Sequence, residues 1–359
     1  MNGSLEQLIA EKTRAAFGQR TAMASLTPLA GDASSRRYYR ASLDGPNRPP
    51  SSVVIMQLPS GSSLPLSSEE LAIFKNGPQE LPFLNLHRFL STIGVRVPRL
   101  YGQWPEEGIL LLEDLGDVAL WDQVQGAPEA EVLAWYRKAI DELLVLQISG
   151  TNSRYDSCIA FQQRFDFRLY MWEFEHFIEY GLIKRPGTQL SESVIEDLRK
   201  VFTDIARRLE SHSPCLNHRD YHSWNLMIHE NAVAVIDFQD ALLAPPQYDL
   251  ASLLNDRVTD TVIHPHLEDH LLNYYLEKHV ERVKHAVNRD EFFEIYVLST
   301  IQRDLKVVGR FYYLDVVKGK PGYKRFIPPT VRRLERNLAR LPQTEKLLPL
   351  LAEHFEQMR

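Results

Sequence analysis

Residues 216–249 read LNHRDYHSWNLMIHENAVAVIDFQDALLAPPQYD, and this stretch decides how the rest of the chain is interpreted. Two short apolar runs lie on either side of the polar residues 229–231, which predicts a β-hairpin. The tripeptide HRD at 218–220 precedes this hairpin, and Asn225 stands five positions after its aspartate. Asp237 follows the second apolar run. Because the chain turns back on itself between them, we expect Asn225 and Asp237 to lie close together.

The aspartate, the asparagine and the second aspartate are the set of side chains that phosphoryl transfer from ATP requires. A carboxylate, here Asp220, would accept the proton of the attacking hydroxyl. Asn225 and Asp237 would hold Mg²⁺ against the phosphates. The alternative is that Asp220 and Asn225 are turn residues and that Asp237 caps a strand. The H-R-D-x-x-x-x-N spacing, followed by an aspartate at the end of an apolar strand, favours the catalytic interpretation.

The composition is that of an ordinary globular protein. Of 359 residues, 44% are hydrophobic and 25% are charged, and the length suggests about two domains. The net charge of −6 argues against general nucleic-acid binding. No secretory signal and no run of ~18 apolar residues is found. We therefore expect a cytoplasmic protein with two free thiols, Cys158 and Cys215, and with no nucleic-acid or membrane partner, and we leave its oligomeric state open.

The pattern changes along the chain from strands to helices. The part before residue 117 is typical of an antiparallel meander, with one helix over 81–94. Helical periodicity begins near residue 122 and covers roughly 132–147, 165–180 and 191–211. We therefore predict an α+β fold with a small strand-rich lobe, a connecting strand near 109–116 and a larger helical lobe.

Five stretches carry a resemblance to a known family. They are GDASSRRYYR at 31–40, LLLEDLGD at 110–117, HRDYHSWNLM at 218–227, IDFQDA at 236–241 and IQRDLKVVGRF at 301–311. With these, the chain resembles the aminoglycoside-phosphotransferase-like kinases, a branch of the protein-kinase fold. Within that branch it is most similar to bacterial kinases that phosphorylate the anomeric hydroxyl of N-acetylmuramate and N-acetylglucosamine. The resemblance covers most of the chain.

The resemblance implies a two-lobed, kinase-like α+β fold. Residues 1–112 would form a β-rich lobe over the nucleotide, 113–117 would be the hinge, and 118–359 would form the helical lobe for catalysis and substrate binding. ATP and Mg²⁺ would be the cofactors. The family's site residues map onto these positions: Asp220 as catalytic base, Asn225 and Asp237 as metal ligands, Glu113 and Leu115 in the linker that meets adenine, and His218 and Asp249 as structural supports of the catalytic loop.

One feature departs from the protein-kinase pattern. Protein kinases carry a lysine on the third strand, paired with a glutamate on the next helix. Here residues 53–56 read VVIM, and the helix over 82–91 contains no acidic residue. We hypothesise that Arg37 or Arg40 supplies the missing positive charge, although either could be a surface arginine on a strand. The phosphate cover would come from Ser34 and Ser35 with neighbouring backbone N–H groups.

The sequence defines the acceptor less well. A muramate carries a carboxylate, which Arg303 and Lys306 could bind from one face of a helix. Arg168 is a third candidate, because nearby aromatic side chains (Tyr170 and Trp172) could stack on a sugar ring. A solvated helix face is the alternative for each of these cations. In the catalytic segment, His222 would donate to the γ-phosphate or be a hydrogen-bonded loop histidine, and Asp240 would contact sugar hydroxyls.

The reaction predicted from the resemblance produces a sugar 1-phosphate for cell-wall recycling. Two alternatives stay open. The first is a kinase of another small molecule, such as an aminoglycoside or an amino alcohol, which would need an acidic acceptor pocket. The second is a non-catalytic nucleotide-binding regulator, motivated by the missing strand lysine.

Overall fold

A five-stranded antiparallel sheet forms the first part of the molecule. The computed structural model describes residues 3–29, 36–46, 48–59, 71, 80–185 and 190–358. The strand order is β1-β2-β3-β5-β4. The strands are β1 (Ala22–Leu29), β2 (Arg37–Asp44), β3 (Ser52–Gln57), β4 (Leu100–Trp104) and β5 (Ile109–Glu113). Every neighbouring pair is antiparallel, as the predicted meander requires.

The strand β3 is buried on both faces, which explains its unbroken apolar run. Alternate side chains of a strand point to opposite faces of the sheet. Val53 and Ile55 pack with Ile9 of helix α1 (Gly3–Phe17), which covers the outer face. Met56 packs in the large core shared with the helices. The sheet is therefore held between α1 and the helical part of the chain.

Helices dominate the rest of the molecule. The helices after α1 are α2 (Pro82–Thr92), α3 (Leu120–Val124), α4 (Glu129–Leu144), α5 (Gly150–Asn152), α6 (Phe167–His176), α7 (Glu192–Glu210), α8 (Gln247–Leu254), α9 (Pro265–Val283), α10 (Arg289–Val316), α11 (Ile327–Leu338), α12 (Pro342–Glu345) and α13 (Leu347–Ala352). The four helices predicted over 81–94, 132–147, 165–180 and 191–211 are present as α2, α4, α6 and α7, and α4 and α6 continue into π-helical turns at Val145–Ser149 and Phe177–Ile183.

Two short β-ribbons interrupt the helices. The first pairs β6 (Cys215–Asn217) with β9 (Leu242–Ala244). Between these strands lies the predicted hairpin, made of β7 (Leu226–His229) and β8 (Ala232–Val235). Its two turn residues, Glu230 and Asn231, both have positive φ angles, 51° and 60°. Tight two-residue hairpins with a type I′ turn require this left-handed conformation.

The architecture confirms the predicted order of a strand-rich part followed by helices. In the part of the chain that is described, no helix is both long enough and apolar enough to cross a membrane. Cys158 and Cys215 are both free, and Cys158 is buried. Burial raises the pKa of the Cys158 thiol to about 11, so this thiol stays protonated at neutral pH.

Candidate active site

The segment before the hairpin is held by a buried carboxylate on α8. The backbone N–H groups of His218 and Arg219 donate to Asp249, at 2.5 Å and 2.9 Å. Asp249 is completely buried. Burial raises the pKa of this carboxyl to about 6, although the N–H donors and the His218 ring act in the opposite direction. Asp249 therefore fixes the backbone of the loop that carries Asp220.

The same loop is tied to the end of the hairpin. Nε2 of His218 lies 2.9 Å from the carbonyl oxygen of Ile236, and the N–H of Ile236 donates to the carbonyl oxygen of Asn225 at 3.0 Å. The next residue, Asp237, has a left-handed backbone with φ of 63°. Aspartate is one of the few residues that adopt this conformation readily. These contacts place Asp237 beside the loop.

Asp220, Asn225 and Asp237 all line one cleft of about 890 Å³. The side-chain N–H of Asn225 donates to the backbone oxygen of Asp220 at 3.0 Å. Gln239 donates to one carboxylate oxygen of Asp237 at 2.8 Å. The three residues that were selected from their spacing in the sequence therefore line the same cavity.

The donor set of Asn225 and Asp237 fits a magnesium ion. Because the Asn225 amide nitrogen is used by Asp220, its oxygen is left for a ligand. Asp237 likewise has a second carboxylate oxygen beyond the one that Gln239 contacts. Across the described residues there is no group of three or more His, Cys, Asp or Glu side chains that could hold a metal. Magnesium commonly uses one or two protein oxygens and completes its shell with phosphates and waters.

Two cations on α10 control the charge of Asp220. Arg303 and Lys306 approach its carboxylate to 3.8 Å and 4.0 Å. Withdrawal from water in the cleft raises the pKa of Asp220, but the positive charges of Lys306, Arg303 and Arg219 outweigh this effect and hold the pKa well below its usual range. Asp220 is therefore ionised throughout the neutral pH range.

The buried carboxylate of Glu173 organises these cations. Arg219 and Lys306 lie 3.2 Å and 3.3 Å from one of its oxygens, and Gln302 donates to the other at 2.6 Å. Arg303 donates to the backbone oxygen of Arg219 at 2.7 Å. Both α10 cations that were candidates for a substrate carboxylate are thus held beside Asp220.

The chain matches the model of a known protein family over most of its length. Residues 25–284 match the model of the family described as the phosphotransferase enzyme family. The chain belongs to this family. The resemblance seen in the sequence motifs is therefore confirmed, and the chain is a phosphotransferase.

Curated relatives of this phosphotransferase carry a common name. An N-acetylmuramate/N-acetylglucosamine kinase of Pseudomonas aeruginosa is 29% identical over 334 residues, which are 92% of this chain and 88% of the relative. A protein of the same name from Neisseria meningitidis is 28% identical, over 91% of this chain and 90% of the relative.

Solved structures of small-molecule kinases share the fold of the phosphotransferase. Choline kinase LicA from Streptococcus pneumoniae has a TM-score of 0.57 at 17% identity, over 92% of this chain and 99% of that chain. An aminoglycoside 2'-phosphotransferase-IIIa has a TM-score of 0.59 at 13% identity, over 92% and 98%. The predicted kinase-like fold is thereby confirmed.

The linker of the phosphotransferase borders the cleft. Leu115 lines it and is buried, and within the described part of the chain neither its N–H nor its C=O forms a hydrogen bond. The Glu113 carboxylate accepts from Arg96 at 2.7 Å and from the Arg99 N–H at 3.0 Å. Burial opposes ionisation of Glu113, but these contacts lower its pKa. The Glu113 side chain thus braces the linker, and the Leu115 backbone is left to face a ligand.

Arg40 lines the cleft, but its guanidinium is already paired with carboxylates. Its guanidinium donates to both oxygens of Asp114, at 2.7 Å and 2.9 Å, and to Asp117 at 2.9 Å. Ser52 donates to Asp114 as well, at 2.6 Å. The physical reason is local: a bidentate arginine–carboxylate pair uses the charge that the hypothesis reserved for phosphates. These contacts tie β2 and β3 to the linker.

The other candidate on β2 is exposed. Arg37 does not contribute to the cleft lining among the described residues, whereas the preceding Arg36 does. Met56, at the strand position of the missing lysine, is only 2% exposed and packs in the core, so it leaves no place for a charge. Ser34 and Ser35 lie outside the described residues.

Two of the residues that were expected to contact the acceptor lie outside the cleft. Arg168 is exposed, contacts Asp166 at 2.7 Å and does not appear in the described cleft lining. Tyr170 is buried and stacks on Phe165 with ring centres 4.5 Å apart. Arg168 faces solvent and Tyr170 faces the core, so neither side chain reaches the cleft. The residues of the expectation that do line the cleft are Trp172, His222, Asp240, Arg303 and Lys306.

Two arginines from the helical part of the chain line the cleft but were not singled out in the sequence. Arg257 follows α8, and Arg310 lies one turn beyond Lys306 on α10; both line the cleft. Arg257 carries no recognisable motif. Arg310 stands in the stretch IQRDLKVVGRF, whose spacing of basic residues by three and four was the available signal.

Proposed function

We propose that this phosphotransferase transfers the γ-phosphoryl group of ATP to the anomeric hydroxyl of N-acetylmuramate or N-acetylglucosamine. The names of its relatives support the sugar acceptor. The observation that carries the proposal is a pair of arginines, Arg257 and Arg310, which line the cleft and whose guanidinium groups have no carboxylate within 4.0 Å in the described part of the chain. We call the part of the cleft beside these two arginines the acceptor end. Such a site favours an acceptor that bears a carboxylate, as N-acetylmuramate does.

The state of Asp220 supports an anomeric acceptor. A carboxylate whose pKa is held low by three cations is a weak proton acceptor. A hemiacetal hydroxyl is more acidic than an ordinary alcohol, so a weaker base can accept its proton. Asp220 would orient this hydroxyl by a hydrogen bond and accept its proton as the new O–P bond forms, which makes positioning the larger part of catalysis.

Asn225 and Asp237 would hold a magnesium ion on the phosphate side of Asp220. When bound, magnesium neutralises charge on the phosphate oxygens. We assign the adenine to the linker, where the free backbone groups of Leu115 would bind its edge beside Glu113. In this proposal residues 1–112 cover the nucleotide, 113–117 are the hinge, 118–359 carry catalysis, and the reaction takes place in the cytoplasm, where ATP is supplied.

The two alternatives make different demands on the cleft. A kinase of aminoglycosides or amino alcohols would place positively charged groups beside Arg257 and Arg310, which would repel them. A non-catalytic regulator would not need a catalytic base, two magnesium-binding residues and an open acceptor end in one cleft. Both alternatives share the fold, so the acceptor end is the feature that separates them.

A substrate panel tests the proposal. Purified protein with Mg·ATP is offered N-acetylmuramate, N-acetylglucosamine, kanamycin and choline, and the position of the new phosphate is mapped by ³¹P and ¹H NMR. We expect turnover of at least one amino sugar with phosphate on the anomeric oxygen, and a turnover at least about 100-fold lower in Asp220→Asn. Preferential phosphorylation of kanamycin or choline would refute the sugar assignment, and ATP binding without any turnover would favour the regulator.

A further inference from the structure

Arg257 stands in a cage of aromatic rings at the acceptor end of the cleft. Its guanidinium carbon lies 5.2 Å from the ring centre of Trp224, 5.9 Å from that of Tyr323 and 5.4 Å from that of Phe326. Rings at these distances attract a cation and restrict its side chain. Because Arg257 also lines the cleft, its fixed guanidinium borders the space open to a substrate.

The charge of Arg257 is not balanced by a carboxylate. In the described part of the chain, no acidic oxygen lies within 4.0 Å of this guanidinium, whereas Lys306 contacts Glu173 at 3.3 Å and Arg333 contacts Asp304 at 2.6 Å. The Nε atom of Arg257 is buried, with no hydrogen-bond partner among the residues that the structure describes. A partly buried charge without a counter-ion costs free energy, which an anion bound to the guanidinium would recover.

Arg257 is also close to the reacting end of the cleft. Burial lowers the pKa of His222, the second residue after Asp220, and the positive charges of Arg257 and Arg303 lower it further against the opposing carboxylates of Asp256 and Asp220. In the described part of the chain, the Nδ1 atom of His222 is buried without a hydrogen-bond partner, like Nε of Arg257. Arg257 and His222 line the same cleft as Asp220.

We propose that Arg257 forms a carboxylate subsite, in which its guanidinium binds the lactyl carboxylate of N-acetylmuramate. This inference rests on the proposed function and names the residue that distinguishes the two sugars, since N-acetylglucosamine has no carboxylate. A paired donor geometry of this kind suits a carboxylate better than a lysine would. The binding energy is gained by the charged sugar alone.

Kinetics with both sugars test the subsite. In Arg257→Gln we expect kcat/KM for N-acetylmuramate to fall about 10- to 100-fold, the loss of a charge-assisted pair, while that for N-acetylglucosamine changes less than about twofold. Arg257→Lys keeps the charge and should recover part of the loss. Arg325→Gln is the matched control, because Arg325 stacks on the same Phe326 ring at 4.7 Å but is exposed, and it should change neither value.

Arg310→Gln separates the two unassigned arginines of the cleft. A loss of the N-acetylmuramate preference in Arg310→Gln but not in Arg257→Gln would overturn the subsite. Equal losses for both sugars in Arg257→Gln would also overturn it, because they would mean a general structural role. Circular dichroism and Tm of each variant establish that it is folded.

Binding measurements keep the subsite and the proposed function apart. Isothermal titration of both sugars, with a non-hydrolysable ATP analogue present, is run on wild type and Arg257→Gln. If wild type phosphorylates neither sugar, the proposed function fails, and tighter binding of N-acetylmuramate that Arg257→Gln abolishes still supports the subsite. If wild type phosphorylates both and Arg257→Gln leaves their ratio unchanged, the subsite fails and the proposed function stands.

Discussion

The guanidinium of Arg333 lies 2.6 Å from a carboxylate oxygen of Asp304, and these side chains are only 1% and 2% exposed. Arg333 also donates to the backbone oxygen of Asp256 at 2.9 Å. This pair joins α11 to α10 and to the loop that carries Arg257. Both residues also line the cleft, so this ion pair fixes the cleft wall to the loop that carries Arg257.

Removing one partner of this ion pair should lower the stability of the folded protein. In Arg333→Met, Asp304 would be left as an uncompensated buried carboxyl, and we expect the free energy of unfolding to fall by about 3–5 kcal/mol in chemical denaturation. The double variant Arg333→Met/Asp304→Leu should recover most of this loss. Arg332→Met, at the exposed neighbouring residue, is the control. A similar effect of Arg332→Met and Arg333→Met would contradict the assignment.

Replacing the carboxylate of Asp220 should affect catalysis and not nucleotide binding. In Asp220→Asn we expect kcat to fall by about 10²- to 10⁴-fold, the usual contribution of a general base. The affinity for a non-hydrolysable ATP analogue, measured by calorimetry, should stay within about twofold, because the loop backbone is held by Asp249 rather than by Asp220. Retention of most of the turnover in this variant would remove Asp220 from the reaction.

The activity should not depend on titration of Asp220 near neutral pH. Its pKa is lowered in the folded protein, so the active ionised form persists as the pH falls, and we expect kcat at saturating Mg·ATP to show no inflection from this group between about pH 5 and 8. Lys306→Met removes the largest favourable charge and should move the acid limb to higher pH. Lys324→Met, at an exposed lysine, should not. An unchanged limb in Lys306→Met would argue against this electrostatic account.

The adjacent arginines at the start of β2, Arg36 before the strand and Arg37 in it, should differ in their effect on the KM for ATP. Arg36 lines the cleft beside Tyr38, and we expect Arg36→Ala to raise KM for ATP about tenfold, which corresponds to one charge-assisted hydrogen bond. Arg37 is exposed, so Arg37→Ala should leave KM for ATP unchanged. The reverse order would restore Arg37 as the phosphate contact.

Asp237 should control the demand for magnesium. In Asp237→Asn we expect the Mg²⁺ concentration for half-maximal activity to rise about tenfold or more, because a charged oxygen ligand becomes neutral. Gln239→Ala, which removes the side-chain donor to Asp237 at 2.8 Å, should have a smaller effect in the same titration. A magnesium requirement that does not change in Asp237→Asn would place the metal elsewhere.

Local patterns in the sequence predicted the elements that hold the site. The hairpin of β7 and β8 follows from two apolar runs around a polar turn, and the spacing from Asp220 to Asn225 is short enough to be read without knowledge of the fold. The meander and the amphipathic α4 were predicted for the same reason, because period and turn residues are local properties.

Side-chain partners far apart in sequence could not be predicted. Arg303 was a candidate for the substrate, yet it contacts the backbone of Arg219 and the carboxylate of Asp220, because α10 crosses behind the catalytic loop. Arg40 pairs with Asp114, which lies 74 positions later in the chain. The local sequence does not distinguish Arg168 from these two arginines, but the Arg168 side chain faces solvent. Which face of a helix or strand meets a neighbour depends on the packing of the whole chain.

The contacts of Arg40 have a mechanical consequence for nucleotide exchange. Arg40 fastens both Asp114 and Asp117 to the sheet, whereas the next residue, Val118, accepts the N–H of Ile228 at 2.8 Å and so moves with the hairpin. Along this connection, the partner of the chain therefore changes from the sheet to the hairpin between Asp117 and Val118. If the sheet opens about residues 113–117 as proposed, we expect a proline at position 118 to stiffen the end of this hinge and to slow the release of ADP.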